Sequence, residues 1–324
     1  MKLRRGVELL FLVFVPLGLF LVGAELVLRF YLSKNIVYDV EMSRYAVSLK
    51  VDSPNPLVGH HHRPNAEETL MGVPLRTNFD GFRDDDTKVE RSASRRIVFL
   101  GDSLTLGWGV RKEETFEHRL EARLSEREPT EILNLGVGNY NTTQEVNLFI
   151  DKGAKYDPDQ VVLFYFINDA EPVPQKSRFP GLGNYRIVTF YWSRIKALMA
   201  QFSPTTGFQE YYAALYRDGA EGWPRSQQAF LKLEALSQEQ GFDFRVVLLP
   251  ELHELIDYPF AKEYAQVAEF LRENDIPVRD LTPYFQGETE PQSLWVSRDD
   301  AHPNGRAHGL IADYTFDFLL ETTE

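Results

Sequence analysis

Gly101-Asp102-Ser103 ends the apolar run Arg96–Leu100, and a hydroxyl placed there invites a search for its chemical partners. A serine is a weak nucleophile at neutral pH until a base within hydrogen-bond reach takes its proton. Such a base stands far downstream, in Asp299-Asp300-Ala301-His302-Pro303-Asn304. His302 has the right chemistry. Asp299, three residues earlier, can leave the same turn and fix the imidazole tautomer. A reaction of this kind also needs preorganised donors for a developing oxyanion. Three groups qualify: the Ser103 backbone N–H at a helix start, a backbone N–H in the Gly138-Asn139 turn, and the amide of Asn168 in Asn168-Asp169. Asp102 reads as a residue that structures the turn. Together these residues make a serine nucleophile with its base and oxyanion donors, a set that needs no metal or organic cofactor.

The elements that must position these residues follow from the apolar pattern. Candidate strands are Arg96–Leu100, Glu131–Leu135, Gln160–Ile167, Phe242–Leu249 and Ile276–Leu281, with cores such as "VVLFYF". Strands apolar on both faces suit a parallel sheet covered by helices on each side. Helical spacing lies between them: Phe116, Leu120 and Leu124; Tyr264, Ala268 and Leu271, broadened by Val267 and Phe270; and a last helix over Ala307–Leu320 carrying Leu310, Ile311, Tyr314 and Phe318. Alternation of this kind gives an open α/β sheet, in which function gathers at the carboxyl ends of the strands. Ser103, the Gly138-Asn139 turn and Asn168 each follow a strand, and His302 precedes the last helix.

The 324 residues are 43% hydrophobic and contain no cysteine, which excludes disulfides, zinc–thiolate sites and cysteine nucleophiles. Net charge is −13, divided as +3 over residues 1–34 and −16 over the rest. An acidic body is repelled by phosphate, so no nucleic-acid partner is expected. The N-terminus opens with Lys2, Arg4 and Arg5, followed by an uncharged run from Leu9 to Ala24 between Glu8 and Glu25. Val7 to Leu28 is long enough to cross a bilayer if both glutamates lie near the interfaces. A signal peptide cut after Val22-Gly23-Ala24 is the competing reading. Apolar residues continuing to Tyr31 favour a retained anchor. The basic tip then stays in the cytoplasm and the acidic body lies outside it.

The blocks "GDSLT", "NLGVGNYNT", "IND" and "DDAHPN" resemble, in order and over roughly residues 96–320, the four blocks of the SGNH/GDSL hydrolase family. The resemblance implies a three-layer αβα flavodoxin-like fold around a central parallel five-stranded sheet, here preceded by an N-terminal transmembrane helix. It implies Ser103 as nucleophile, His302 with Asp299 as base and acid, and Asn168 with Gly138 or Asn139 as oxyanion donors. Two positions depart from the pattern. Phe166 stands where the third block usually has glycine. Gly138 and Asn139 stand where one glycine usually donates. A membrane segment followed by "RTNFDGFRD" resembles anchored bacterial members, some of which work beside membrane-bound O-acyltransferases.

The organisation expected is a basic tip and anchor over 1–34, an irregular connector with short strands over 35–95, and a hydrolase domain over 96–324. An insertion at 170–225 would shape the cleft. Asp80-Gly81 is a hairpin signal in the connector. Tyr185, Phe190, Tyr191 and Trp192 read as core or cleft wall, with sugar stacking as the alternative. His60–His62, consecutive in an extended segment, point to opposite sides and are not expected to hold a metal. His253, after the fourth strand, is an ordinary loop histidine or a cleft residue. The functional expectation is an extracytoplasmic serine esterase acting on an O-acyl ester, such as an acetyl group on a surface glycan. Two alternatives use the same chain: an O-acyltransferase with a membrane partner, and a non-catalytic glycan-binding or assembly subunit, for which Phe166 speaks.

Overall fold

The computed structural model describes residues 2–32, 36–91, 93–173 and 207–321. The chain divides into two compact units, one of residues 1–48 and 177–205 and one of residues 49–176 and 206–324. In the first, α1 (Lys2–Leu32) contains the stretch Leu12–Tyr31, whose mean hydropathy is 2.0. Its 20 residues are long and apolar enough to cross a membrane. Arg29 pairs with Glu25 one turn earlier, at 2.7 Å. A second helix, α2 (Tyr38–Leu49), follows.

The second unit opens with two short antiparallel pairs: β1 (Lys50–Asp52) with β2 (His60–His62), and β3 (Glu67–Leu70) with β4 (Val73–Arg76). The Asp80-Gly81 signal closes a tight loop, not a strand hairpin. Asn78 accepts from Phe82 and Gly81 across it. The central sheet holds β5 (Arg95–Gly101), β6 (Thr130–Asn134), β7 (Gln160–Tyr165), β8 (Asp243–Leu248) and β9 (Val278–Asp280). Every pairing is parallel, and the spatial order is β6-β5-β7-β8-β9. These are the five strands the apolar runs predict, with ends shifted by a few residues.

Alternation along each strand builds two cores. Ile97, Phe99, Val162, Phe164 and Val247 face one side. There they meet α4 (Phe116–Ser125), which follows the short α3 (Ser103–Leu106), and the helix Gly305–Leu320 near the end of the chain. Val98, Leu100, Val161, Leu163 and Val246 face the other. They meet α5 (Thr142–Leu148), α7 (Gly222–Gln240) and α8 (Ala261–Glu273), with α6 (Phe208–Ala214) ahead of α7. The result is three layers with both sheet faces buried. The strand order reverses at β5, which opens a crevice at the carboxyl ends of β5 and β7. Two further elements complete the frame. The antiparallel pair β10 (Trp295–Ser297) and β11 (Asp300–Pro303) follows a short helix α9 (Thr282–Phe285), and α10 is the helix Gly305–Leu320.

Residues 49–95 belong to the unit that holds the sheet, because their side chains reach into it. Arg83 is 3% exposed and donates to the carbonyls of Leu106 (2.6 Å), Gly107 (2.5 Å) and Val110 (2.6 Å), the loop after α3. His62 is buried with its Nδ1 against Gly81 O, 3.1 Å. Tyr185, Phe190, Tyr191 and Trp192 lie outside the described residues.

Candidate active site

Ser103 is the first residue of α3, at the end of β5. Asp102, not Ser103, is the helix cap: its carboxylate accepts from Leu104 N–H at 2.8 Å. The chain turns here with almost no clearance. A Cβ on Gly101 would collide with the Thr105 side chain, and one on Gly136 would collide with the backbone of Thr105 and Leu106. Glycine at 136 therefore lets the loop after β6 lie against the nucleophile turn. Asn134 Nδ2 donates to Thr105 O (2.7 Å), and Val137 N–H donates to Gly101 O (3.1 Å), across the same contact.

His302 Nε2 lies 2.9 Å from Ser103 Oγ, and its Nδ1 lies 2.5 Å from Asp300 Oδ1. The carboxylate that meets the imidazole is therefore that of Asp300. Asp299, the expected partner, sits in the turn before β11 and is exposed. The reason is the pleat. Asp300 and His302 are alternate residues of one strand and share a face, whereas residues three apart do not. Asp300 Oδ2 accepts from Trp108 Nε1 at 3.0 Å, and the His302 backbone N–H donates to Oδ1 at 3.2 Å. Burial by itself would raise the Asp300 carboxyl. The hydrogen bonds from His302 and Trp108 outweigh it and hold the group below the ordinary carboxylate range. With Nδ1–H donated to Asp300, Nε2 carries the lone pair that can accept the Ser103 proton. Trp108 and Asp300 escaped the sequence reading. Strand alternation in "DDAHP" is the signal that identifies Asp300. A tryptophan in a glycine-flanked loop carries no comparable mark.

Asn304 sets this segment in place. Its Oδ1 caps α10 by accepting from Arg306 and Ala307, while its Nδ2 donates to Ser293 O (2.8 Å) and Trp295 O (3.0 Å).

Asn168 lies at the end of β7, and its Nδ2 donates to Asp102 Oδ2 at 3.0 Å. Ser103, His302 and, through Asp102, Asn168 thus form one hydrogen-bonded array. Phe166 sits in extended backbone (φ −122°) and is partly buried against both cores, so this position makes no demand for glycine. Its N–H donates to Asp169 Oδ2 at 3.1 Å. Gly138 is buried, and Asn139 is exposed in the left-handed region at φ 65°. Asparagine tolerates that region better than most residues.

Three buried carboxyls gather here: Asp102 within the array, and Glu145 and Asp169. Burial raises all three, the latter two well above the usual range, where the charge of Asp102 raises Glu145 and those of Glu145 and Asp102 raise Asp169. Among the described residues, neither carboxyl oxygen of Glu145 has a hydrogen-bond partner. Among the described residues no group of three or more side chains is arranged to hold a metal. Burial lowers His60 and His62 to about 3, which keeps them neutral. His253 pairs with Glu251 and sets its ring edge against Trp295, centroids 4.8 Å apart.

Several solved structures are similar to this chain. An acetyl xylan esterase, AlAXEase, is 16% identical over 69% of this chain and 99% of its own, with a TM-score of 0.44. A G-D-S-L family lipolytic protein from Veillonella parvula DSM 2008 is 14% identical over 71% and 100%, TM-score 0.46. The psychrotrophic esterase EstA from Pseudoalteromonas sp. is 15% identical over 70% and 97%, TM-score 0.43. No curated protein matches the chain. Residues 99–310 match the GDSL-like lipase/acylhydrolase family over most of the chain, from the strand before Ser103 to the helix after His302. The chain belongs to that family and is an ester-bond hydrolase.

Proposed function

We propose that the protein is a membrane-anchored serine esterase that removes a small acyl group, such as acetyl, from a glycan outside the cytoplasm. The observation that carries the mechanism is the unbroken line Ser103 Oγ–His302 Nε2, 2.9 Å, and His302 Nδ1–Asp300 Oδ1, 2.5 Å. His302 takes the Ser103 proton as Oγ attacks the ester carbonyl. Asp300 stabilises the imidazolium. The oxyanion meets the Ser103 N–H, the Asn139 or Gly138 N–H, and Asn168. The alcohol leaves with the proton from His302, and water drawn against the same base releases the acid. Ser103 is 6% exposed, which favours a short acyl chain. The apolar α1 behind a basic start supports anchoring with the acidic unit outside.

The test uses the full-length chain in detergent. Wild type should release p-nitrophenol from its acetate and take up a fluorophosphonate label. Ser103→Ala and His302→Ala should lose about 10⁴-fold or more of kcat/KM. Full activity in Ser103→Ala sinks the mechanism. Release of acid from an O-acetylated polysaccharide tests the substrate. Transfer to an added glycan exceeding hydrolysis would replace esterase by acyltransferase.

A further inference from the structure

The hairpin of β1 and β2 embraces the turn after β6. The Tyr140 hydroxyl donates to His60 O, and the Gln144 amide donates to Val58 O at 2.9 Å. His60 and Tyr140 rings meet edge to face at 5.1 Å. At the hairpin's first residue, Lys50 Nζ donates to Gly138 O at 2.5 Å and to Asn139 Oδ1 at 3.1 Å. One ammonium thus holds both the main-chain carbonyl and the side-chain oxygen that bracket a single peptide bond.

That bond is trans, because no cis peptide occurs among the described residues. In a planar trans peptide the C=O and the following N–H point in opposite directions. With Gly138 O drawn to Lys50, the Asn139 N–H points away from it, and this N–H makes no hydrogen bond among the described residues. We propose that Lys50 is a positioning residue for the ester chemistry: it fixes the Gly138–Asn139 peptide so that Asn139 N–H serves as the oxyanion donor of this turn. The proposal rests on the serine esterase reading above. Burial lowers Lys50 to about 7, so the fold carries this side chain at a cost to its stability. A methionine of similar length would avoid that cost and would lack the donor.

The test again uses the full-length chain in detergent, with p-nitrophenyl acetate and the fluorophosphonate probe. Lys50→Met should stay folded at the assay temperature, yet lose about 10-fold or more in kcat and in labelling rate, with KM within about 2-fold. Lys50→Arg, which keeps a cationic donor, should recover part of the loss. Asn139→Gly keeps the left-handed turn without relying on how the fold tolerates a change at Lys50. It should lower kcat several-fold, and Lys50→Met should cost less in its background than alone. Wild-type kcat in Lys50→Met, or equal costs in the two backgrounds, overturns the proposal and leaves the esterase reading standing. A loss that appears in KM alone, or that follows the melting temperature, also overturns it. A wild type that neither turns over nor labels overturns both.

Discussion

His302 presents Nδ1 to Asp300, two residues back on the same strand, while Asp299 beside it faces solvent. The two acids should therefore separate cleanly. Asp300→Asn should lower kcat/KM by about 10³-fold or more, because the amide stabilises the wrong tautomer and no imidazolium. Asp299→Asn should stay within about 2-fold of wild type. Steady-state kinetics on both variants decides the assignment.

Trp108 contributes one hydrogen bond to that carboxylate. Trp108→Phe keeps the ring but leaves Asp300 Oδ2 short of a donor, at a cost of about 1–3 kcal/mol. The folded Asp300 lies below its unfolded value, so its contribution to stability is present above about pH 3.9 and is lost as pH falls further. Thermal melts between pH 3 and 7 should show the deficit of Trp108→Phe full at pH 7 and closing in acid.

Glu145 predicts the opposite slope. Its folded value lies well above the unfolded one near 4.3, so the stability it permits is present below that pH and declines as pH rises toward the folded value. Glu145→Gln removes the titration. Its melting temperature should gain on wild type between pH 5 and pH 8. A pH-independent difference would show that Glu145 is ionised in the fold.

Arg83 ties the segment before the sheet to the nucleophile loop. Arg83→Met strips three buried carbonyls of a charged donor and should cost about 3 kcal/mol or more, a fall in melting temperature on the order of 10 °C. A chain begun at residue 96 should fail to fold, whereas one begun at residue 49 should melt cooperatively. Circular dichroism on the two fragments distinguishes them.

The sheet was legible because its strands are buried on both faces. An apolar run such as "VVLFYF" has few other homes, and that Ser103, Asn168 and His302 meet at one edge of the sheet follows from their places at strand and helix ends. What stayed hidden depends on direction. Asp299 and Asp300 differ only in which face of a two-residue pleat each takes, and that requires knowing that β11 is a strand. Lys50, His62 and Arg83 sit in a stretch full of Pro, Asn, Asp and Gly. Composition reads that stretch as solvent-facing loop, yet Lys50 and Arg83 spend their donors on the backbone of the loops after β6 and α3, and His62 meets Gly81 O within the stretch itself. A cation satisfied by carbonyls leaves no charged partner in the sequence to betray it.

Asn304, which follows the strand of His302, caps α10 and bonds to Trp295 O on β10, and α10 packs against the sheet. His302 therefore borrows its rigidity from a helix that lies outside the Ser103–His302–Asp300 array. Deleting the sixteen residues of α10 would leave Ser103, Asp300 and His302 all present in the chain but remove the support against which two of them are aimed. For anyone shortening or fusing this protein, the helix Gly305–Leu320 is the part of the C-terminal end to leave intact.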